Sequence, residues 1–146
     1  MYKTLFFGVV LVVILCCLYR YRKLKEGYKL PYIWMNNICK RSPEGMLDLY
    51  SNNAILLATY SNSILRGKDE LLEYFEEFLS KDGLCGEITS NYTQQRGNTL
   101  INSGTYSFLF YENGETMEVE ARYTFVYKLC NGEWKVINHH SSVNPD

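Results

Sequence analysis

The 146-residue chain has little of what site chemistry usually needs. Its five cysteines include no Cys-x-x-Cys pair: Cys16 and Cys17 are adjacent in an apolar run, and Cys39, Cys85 and Cys130 are scattered singly. That spacing suggests neither a disulfide framework nor a zinc site. Histidine occurs twice, as the adjacent His139 and His140, with no carboxylate close by in sequence. No glycine-rich phosphate loop occurs. Basic charge is scarce beyond the first 25 residues: residues 26–146 carry 10 basic and 16 acidic groups, a net of −6. An acidic domain gains no counterion-release energy on DNA or RNA, so nucleic acid is excluded as the expected partner.

Apolar runs of membrane length are nearly absent too. The longest, "TLFFGVVLVVILCCLY" (Thr4–Tyr19), is 16 residues without a charge. As a helix it reaches roughly 24 Å, short of the ~30 Å hydrocarbon core. Flanking tyrosines at the interface and snorkelling Lys3 and Arg20 are expected to make up the difference. No small-x-small cleavage site follows. Residues 1–20 therefore read as a single-pass N-terminal transmembrane anchor, with 4–19 in the membrane, and 21–30 as a basic linker. Arg20, Arg22, Lys23, Lys25 and Lys29 after the run place the C-terminal domain on the cytosolic side. The sequon Asn91-Tyr92-Thr93 would then stay unused.

What is present is β-rich. The chain has 13 tyrosines and 7 phenylalanines, many in alternating runs that suit strands with large core side chains. Residues 32–40 permit a helix. Ser42 then caps a short one, with Pro43 at its first position and Met46, Leu47, Leu49 and Tyr50 as its apolar stripe. "AILLAT" (54–59) suits a buried strand. "KDELLEYFEEFLSK" (68–81) is strongly amphipathic, its acidic residues on a solvated face. From residue 85 the period becomes two, with strands near 87–95, 99–111, 116–129 and 134–142. Asn113-Gly114 and Asn131-Gly132 mark the last two turns. The expected domain, 31–146, is α+β, with about three helices packed on a strongly curved antiparallel sheet.

The order of elements resembles the nuclear transport factor 2-like superfamily. Within it, the chain is similar to the SnoaL-like group that includes the association domain of calcium/calmodulin-dependent protein kinase II. The stretches that carry the resemblance are "LDLYSNNAILLATYSN" (47–62), "RGKDELLEYFEEFLSK" (66–81), "SGTYSF" (103–108) and "ARYTFVYKLCNGEWKVINHHSS" (121–142). The family usually has an acid where this chain has Asn53. The kinase catalytic segments are absent, so kinase activity does not carry over. The resemblance implies a cone-shaped fold with a cavity open at one end. It also implies pairing through the outer sheet face, and in some members a small hydrophobic or anionic ligand in the cavity.

Candidate site residues follow from strand alternation, which sends adjacent side chains to opposite faces. His139 and His140 therefore cannot share one metal, and no metal site or cofactor is expected. His140 is the candidate pocket histidine and the only candidate catalytic group, a base of near-neutral pKa. Trp134, Val136 and Asn138 share its face by strict alternation. Arg122 and Thr124 share one face of their strand, and Tyr123, Phe125 and Tyr127 the other. Two readings of Arg122 stay open: an exposed or salt-bridged arginine, or, since the resemblance implies a matching arginine in the cavity, one that grips a carboxylate ligand with paired hydrogen bonds. The expected pocket is Arg122, Thr124, Trp134 and His140; the expected self-association face is Tyr123, Phe125 and Tyr127. The functional expectation is a membrane-tethered oligomerisation domain with a pocket for a small carboxylate. The alternative is a small isomerase-, cyclase- or hydratase-type enzyme in the same pocket.

Overall fold

In the computed structural model, described for residues 2–145 of the backbone and 7–145 of the side chains, the chain order is three helices and six strands. The helices are α1 (Tyr2–Cys39), α2 (Pro43–Leu49) and α3 (Gly67–Leu79). The strands are β1 (Tyr50–Leu57), β2 (Ile64–Arg66), β3 (Asp82–Arg96), β4 (Thr99–Glu112), β5 (Glu115–Cys130) and β6 (Glu133–Val143). All six form one sheet in the order β2-β1-β6-β5-β4-β3. Neighbours are antiparallel except β1 and β6, which run parallel.

Local chemistry explains the turns and caps. Asn113 and Gly114 have φ of 53° and 84°, and Asn131 and Gly132 have 51° and 85°. Two successive left-handed residues give the tight turn whose twist matches the flanking strands. Ser42 Oγ accepts from the Gly45 amide at 3.1 Å and so caps α2. At the start of α3, the Arg66 amide donates to Glu70 at 2.8 Å. Leu71, Phe75, Phe78 and Leu79 line its buried face, the i, i+4, i+7, i+8 spacing of one helix side.

The concave face of the curved sheet closes over the helices. Trp34, Met35 and Ile38 of α1, Met46 of α2 and Phe75 of α3 meet Tyr106 and Phe108 of β4, and Tyr123, Phe125 and Tyr127 of β5. Two one-residue irregularities help bend the sheet: Thr89 is extra in β3 and Ile137 is extra in β6. A bulge of this kind kinks a strand and reverses which side chains face inward beyond it.

The N-terminal expectation is corrected. Among the described residues no helix is long and apolar enough to cross a membrane. The apolar run is only 16 residues, and among the described side chains an 18-residue window from Phe7 already takes in Arg20, Arg22 and Lys23; snorkelling repositions such charges without lengthening the run. The side chains of Thr4, Leu5 and Phe6 lie outside the described residues. Residues 21–30, expected as a basic linker, are helical: α1 continues through them and through Pro31 to Cys39. Lys23 and Glu26 pair at 2.8 Å along that stretch. Gly27 lets α1 approach the sheet so closely that a Cβ there would collide with Leu100. Asn91 ties the same helix to β3, donating to the Tyr28 carbonyl at 2.9 Å while accepting from the Tyr123 hydroxyl at 3.2 Å.

The cysteine reading is corrected as well. Cys39 and Cys85 form a disulfide between the end of α1 and the edge strand β3. Cys16, Cys17 and Cys130 are free. Chain spacing says nothing about this pair, because the fold brings together residues 46 positions apart.

Gly104 allows a close cross-strand approach. It lies opposite Asn91 on β3 and Tyr123 on β5. The Tyr123 ring passes over it, and its hydroxyl donates to the Ser90 carbonyl at 3.0 Å. A Cβ at Gly104 would collide with that carbonyl and sit 2.9 Å from the Tyr123 oxygen. Gly104→Ala is therefore expected to cost about 3 kcal/mol, read as a lowered urea midpoint. An unchanged midpoint would mean that β3 yields freely at its bulge.

Candidate functional site

The interior of the cone is built from aromatic side chains of five elements and one loop. Trp34 comes from α1, Tyr74, Phe75 and Phe78 from α3, and Tyr106 and Phe108 from β4. Leu56 of β1, Ala58 to Tyr60 of the following loop, and His139 and Ser141 of β6 complete the lining. These side chains nearly fill the space. The remaining cavity is about 10 Å³, about enough for one water. No charged side chain is among the described residues that line it.

Two polar chains cross this interior. Trp34 Nε1 donates to the Tyr50 hydroxyl at 3.0 Å, and that hydroxyl lies 2.8 Å from His139 Nδ1. The Tyr50 oxygen accepts from the indole; were His139 Nδ1 to donate to it as well, the buried Tyr50 proton would be left stranded, so the hydroxyl donates to His139. Burial pushes the Tyr50 pKa well up and keeps that proton in place. His139 Nδ1 is thus the acceptor, and the imidazole proton sits on Nε2. The ring is 2 % exposed and stacks on Phe125, with centroids 4.0 Å apart. Burial, and secondarily the neighbouring His140, lower its pKa to about 3. Its Nε2 is buried with no hydrogen-bond partner. In the second chain, the Tyr106 hydroxyl donates to Ser141 Oγ at 2.5 Å, and Ser141 also bonds Thr59.

The sequence-derived candidates lie elsewhere. Arg122, Thr124 and His140 stand on the outer face of the sheet, with Arg122 and His140 exposed. Arg122 lies opposite Ser142 and Thr124 opposite His140. Tyr123, Phe125 and Tyr127, expected on the outside, are core residues. Their grouping by face holds, but the inward face is the aromatic one, because burying large rings gains more than burying an unpaired guanidinium. On β6 the cause is the bulge. Trp134 and Val136 point inward, Ile137 is the extra residue, and the inward set then continues as His139 and Ser141. Alternation carried straight through from Trp134 selects His140 instead.

Trp134 is buried but at the other end of the sheet. There it lines an open groove of about 690 Å³ with Lys29 and Ile33 of α1, Asp48 of α2 and Lys135 of β6. Among the described residues no three His, Cys, Asp or Glu side chains come together as a metal site. The cavity-lining imidazole that strict strand alternation does not select is His139. The signal for it was the irregular spacing of apolar residues in "WKVINHHSS", which breaks the period at Ile137.

A curved sheet wrapped on three helices round an aromatic cavity defines the cone-shaped nuclear transport factor 2-like class. Residues 25–145 match the calcium/calmodulin dependent protein kinase II association domain family. The chain belongs to that family. Among solved structures it is similar to one from Xanthomonas campestris assigned to the same association domain. The two are 34% identical, with 81% of this chain and 85% of that one covered and a TM-score of 0.74. An NTF2-like protein with a cystatin-like fold from Novosphingobium aromaticivorans is 10% identical, over 88% of this chain and 87% of that one, with a TM-score of 0.76. A nuclear transport factor 2-like superfamily protein from Salmonella enterica is 16% identical, over 84% and 91%, at 0.74. These last two share the fold. No curated protein matches the chain.

Proposed function

We propose that the chain is a self-associating module that pairs through the outer face of its sheet and holds a small ligand inside its cone. The observation that carries the pairing is the make-up of the outer face. Its central rows run Ser103–Thr124–His140 and Ile101–Val126–Asn138 across β4, β5 and β6. Five of these six side chains are half-buried already in the single chain, and none is an acid or a lysine. Solvated sheet faces are normally clad in charge; rows without acid or lysine, in which Ser103, Thr124, Ile101 and Val126 are small or β-branched, suit a second sheet instead. Membership of an association-domain family supports the same reading.

In a two-fold pairing every residue near the axis meets its own copy. Val126→Glu would set two carboxylates close together, and like charges across an interface cost several kcal/mol. The dimer dissociation constant is expected to rise at least ~100-fold, measured by sedimentation of the full chain. Wild-type protein that sediments as a monomer at tens of micromolar would sink the pairing. The enzyme alternative has less support. His139 is a hydrogen-bond donor of depressed basicity, and no carboxylate is among the described cavity residues.

A further inference from the structure

The cavity has a chemistry that the fold alone does not dictate. Its walls are flat: Trp34 and Tyr106 stack at 5.7 Å and 8°, and Tyr74 and Phe78 at 5.7 Å and 13°. Its internal hydroxyls on Tyr106, Ser141 and Thr59 are occupied with one another. Among the described lining residues, the fully buried polar side-chain atom left without a partner is His139 Nε2, which carries the imidazole proton. A buried donor left unsatisfied costs free energy that an incoming acceptor recovers. No cation to pair with an anion is among the described residues that line the cavity, and Arg122 lies on the opposite face of the sheet. A carboxylate entering here would lose its hydration and meet one neutral donor in return.

The way in is also visible. Tyr60, on the loop after β1, is 42% exposed. It stacks on Phe78 at 5.7 Å and lies under the Lys81 ammonium, which is 5.2 Å from the ring centre. Tyr60, Tyr74 and Phe78 line both the inner cavity and a surface pocket of about 330 Å³ outside it. The Tyr60 ring is thus part of the partition between the two.

We infer that the cavity at His139 is a binding site for a small, flat, uncharged molecule bearing a hydrogen-bond acceptor such as a carbonyl, admitted when Tyr60 swings outward. The assignment rests on reading the cone as a ligand site and adds which ligand class it takes. Three probes of nearly one shape separate the two claims: acetophenone, α-methylstyrene, which replaces the carbonyl oxygen by a methylene, and benzoate. Titrated calorimetrically into the full chain, acetophenone is expected to bind at least ~10-fold more tightly than either of the others. Tyr60→Ala, a change on an exposed loop, is expected to tighten acetophenone and α-methylstyrene alike and to leave their ratio unchanged. His139→Leu is expected to abolish the ratio. Benzoate binding as tightly as acetophenone would keep the ligand site and overturn the neutral class. Failure of acetophenone to bind both wild type and Tyr60→Ala would overturn both, leaving a cavity for one water.

Discussion

Reducing the disulfide between Cys39 and Cys85, or replacing both residues by alanine, is expected to lower the stability of the domain by about 4 kcal/mol. The bond closes a loop across a separation of 46 residues. The entropy that such a cross-link removes from the unfolded chain corresponds to ~4 kcal/mol at room temperature. For a domain of this size that is roughly 15 °C in melting temperature. The location adds to the effect. Cys39 is the last residue of α1, and Cys85 is near the start of β3, an edge strand with a neighbour on one side only. Without the bond, β3 is held by β4 and by its packing on α1. Urea unfolding with and without reductant gives the difference, with the double alanine variant as the control for the free thiols at Cys16, Cys17 and Cys130. A difference below 1 kcal/mol would mean that the unfolded chain is already compact between these positions.

The parts of the fold written in local chemistry were legible. Asn113-Gly114 and Asn131-Gly132 need left-handed backbone and so mark their turns. Ser42-Pro43 carries its own cap. The spacing of Leu71, Phe75, Phe78 and Leu79 declares a buried helix face. The parts that failed are those decided at a distance. Residues 21–30 look like a linker because they are polar, yet they stay helical because Trp34, Met35 and Ile38, further along the same helix, are locked in the core. The disulfide partners are set by where α1 ends against β3.

The faces of the candidate site residues were harder to read, for a subtler reason. Strand alternation is an exact period, so a single extra residue at Ile137 reassigns every side chain after it. His139 and His140 do point to opposite faces, and one inserted residue reverses which of them faces the cavity. The same residue leaves His140 on the outer face opposite Thr124, and it gives β6 two roles. Its inner side supplies His139 to the cavity lining, and its outer side belongs to the proposed pairing surface.

The depressed basicity of His139 makes the folded state acid-sensitive in a defined window. In the unfolded chain this imidazole takes a proton near its ordinary value of about 6.5. In the folded chain burial holds it neutral until about pH 3. Between those values the unfolded state binds one more proton than the folded state, so stability falls as pH falls, by up to ~1.4 kcal/mol per pH unit. Above about pH 6.5 neither state carries the proton and the contribution is flat. His139→Gln keeps a side-chain N–H donor and removes the titration. Between pH 7 and pH 4.5 the wild type is therefore expected to lose about 2.5 kcal/mol more than the variant. Carboxylates elsewhere in the chain titrate in both proteins and cancel in the comparison. Imidazole nitrogen resonances should show the His139 ring protonated on Nε2 and unchanged down to pH 4.5. Parallel stability curves for the two proteins would mean that His139 takes up its proton in the folded state, and the Tyr50–His139 bond would then have to open to admit it.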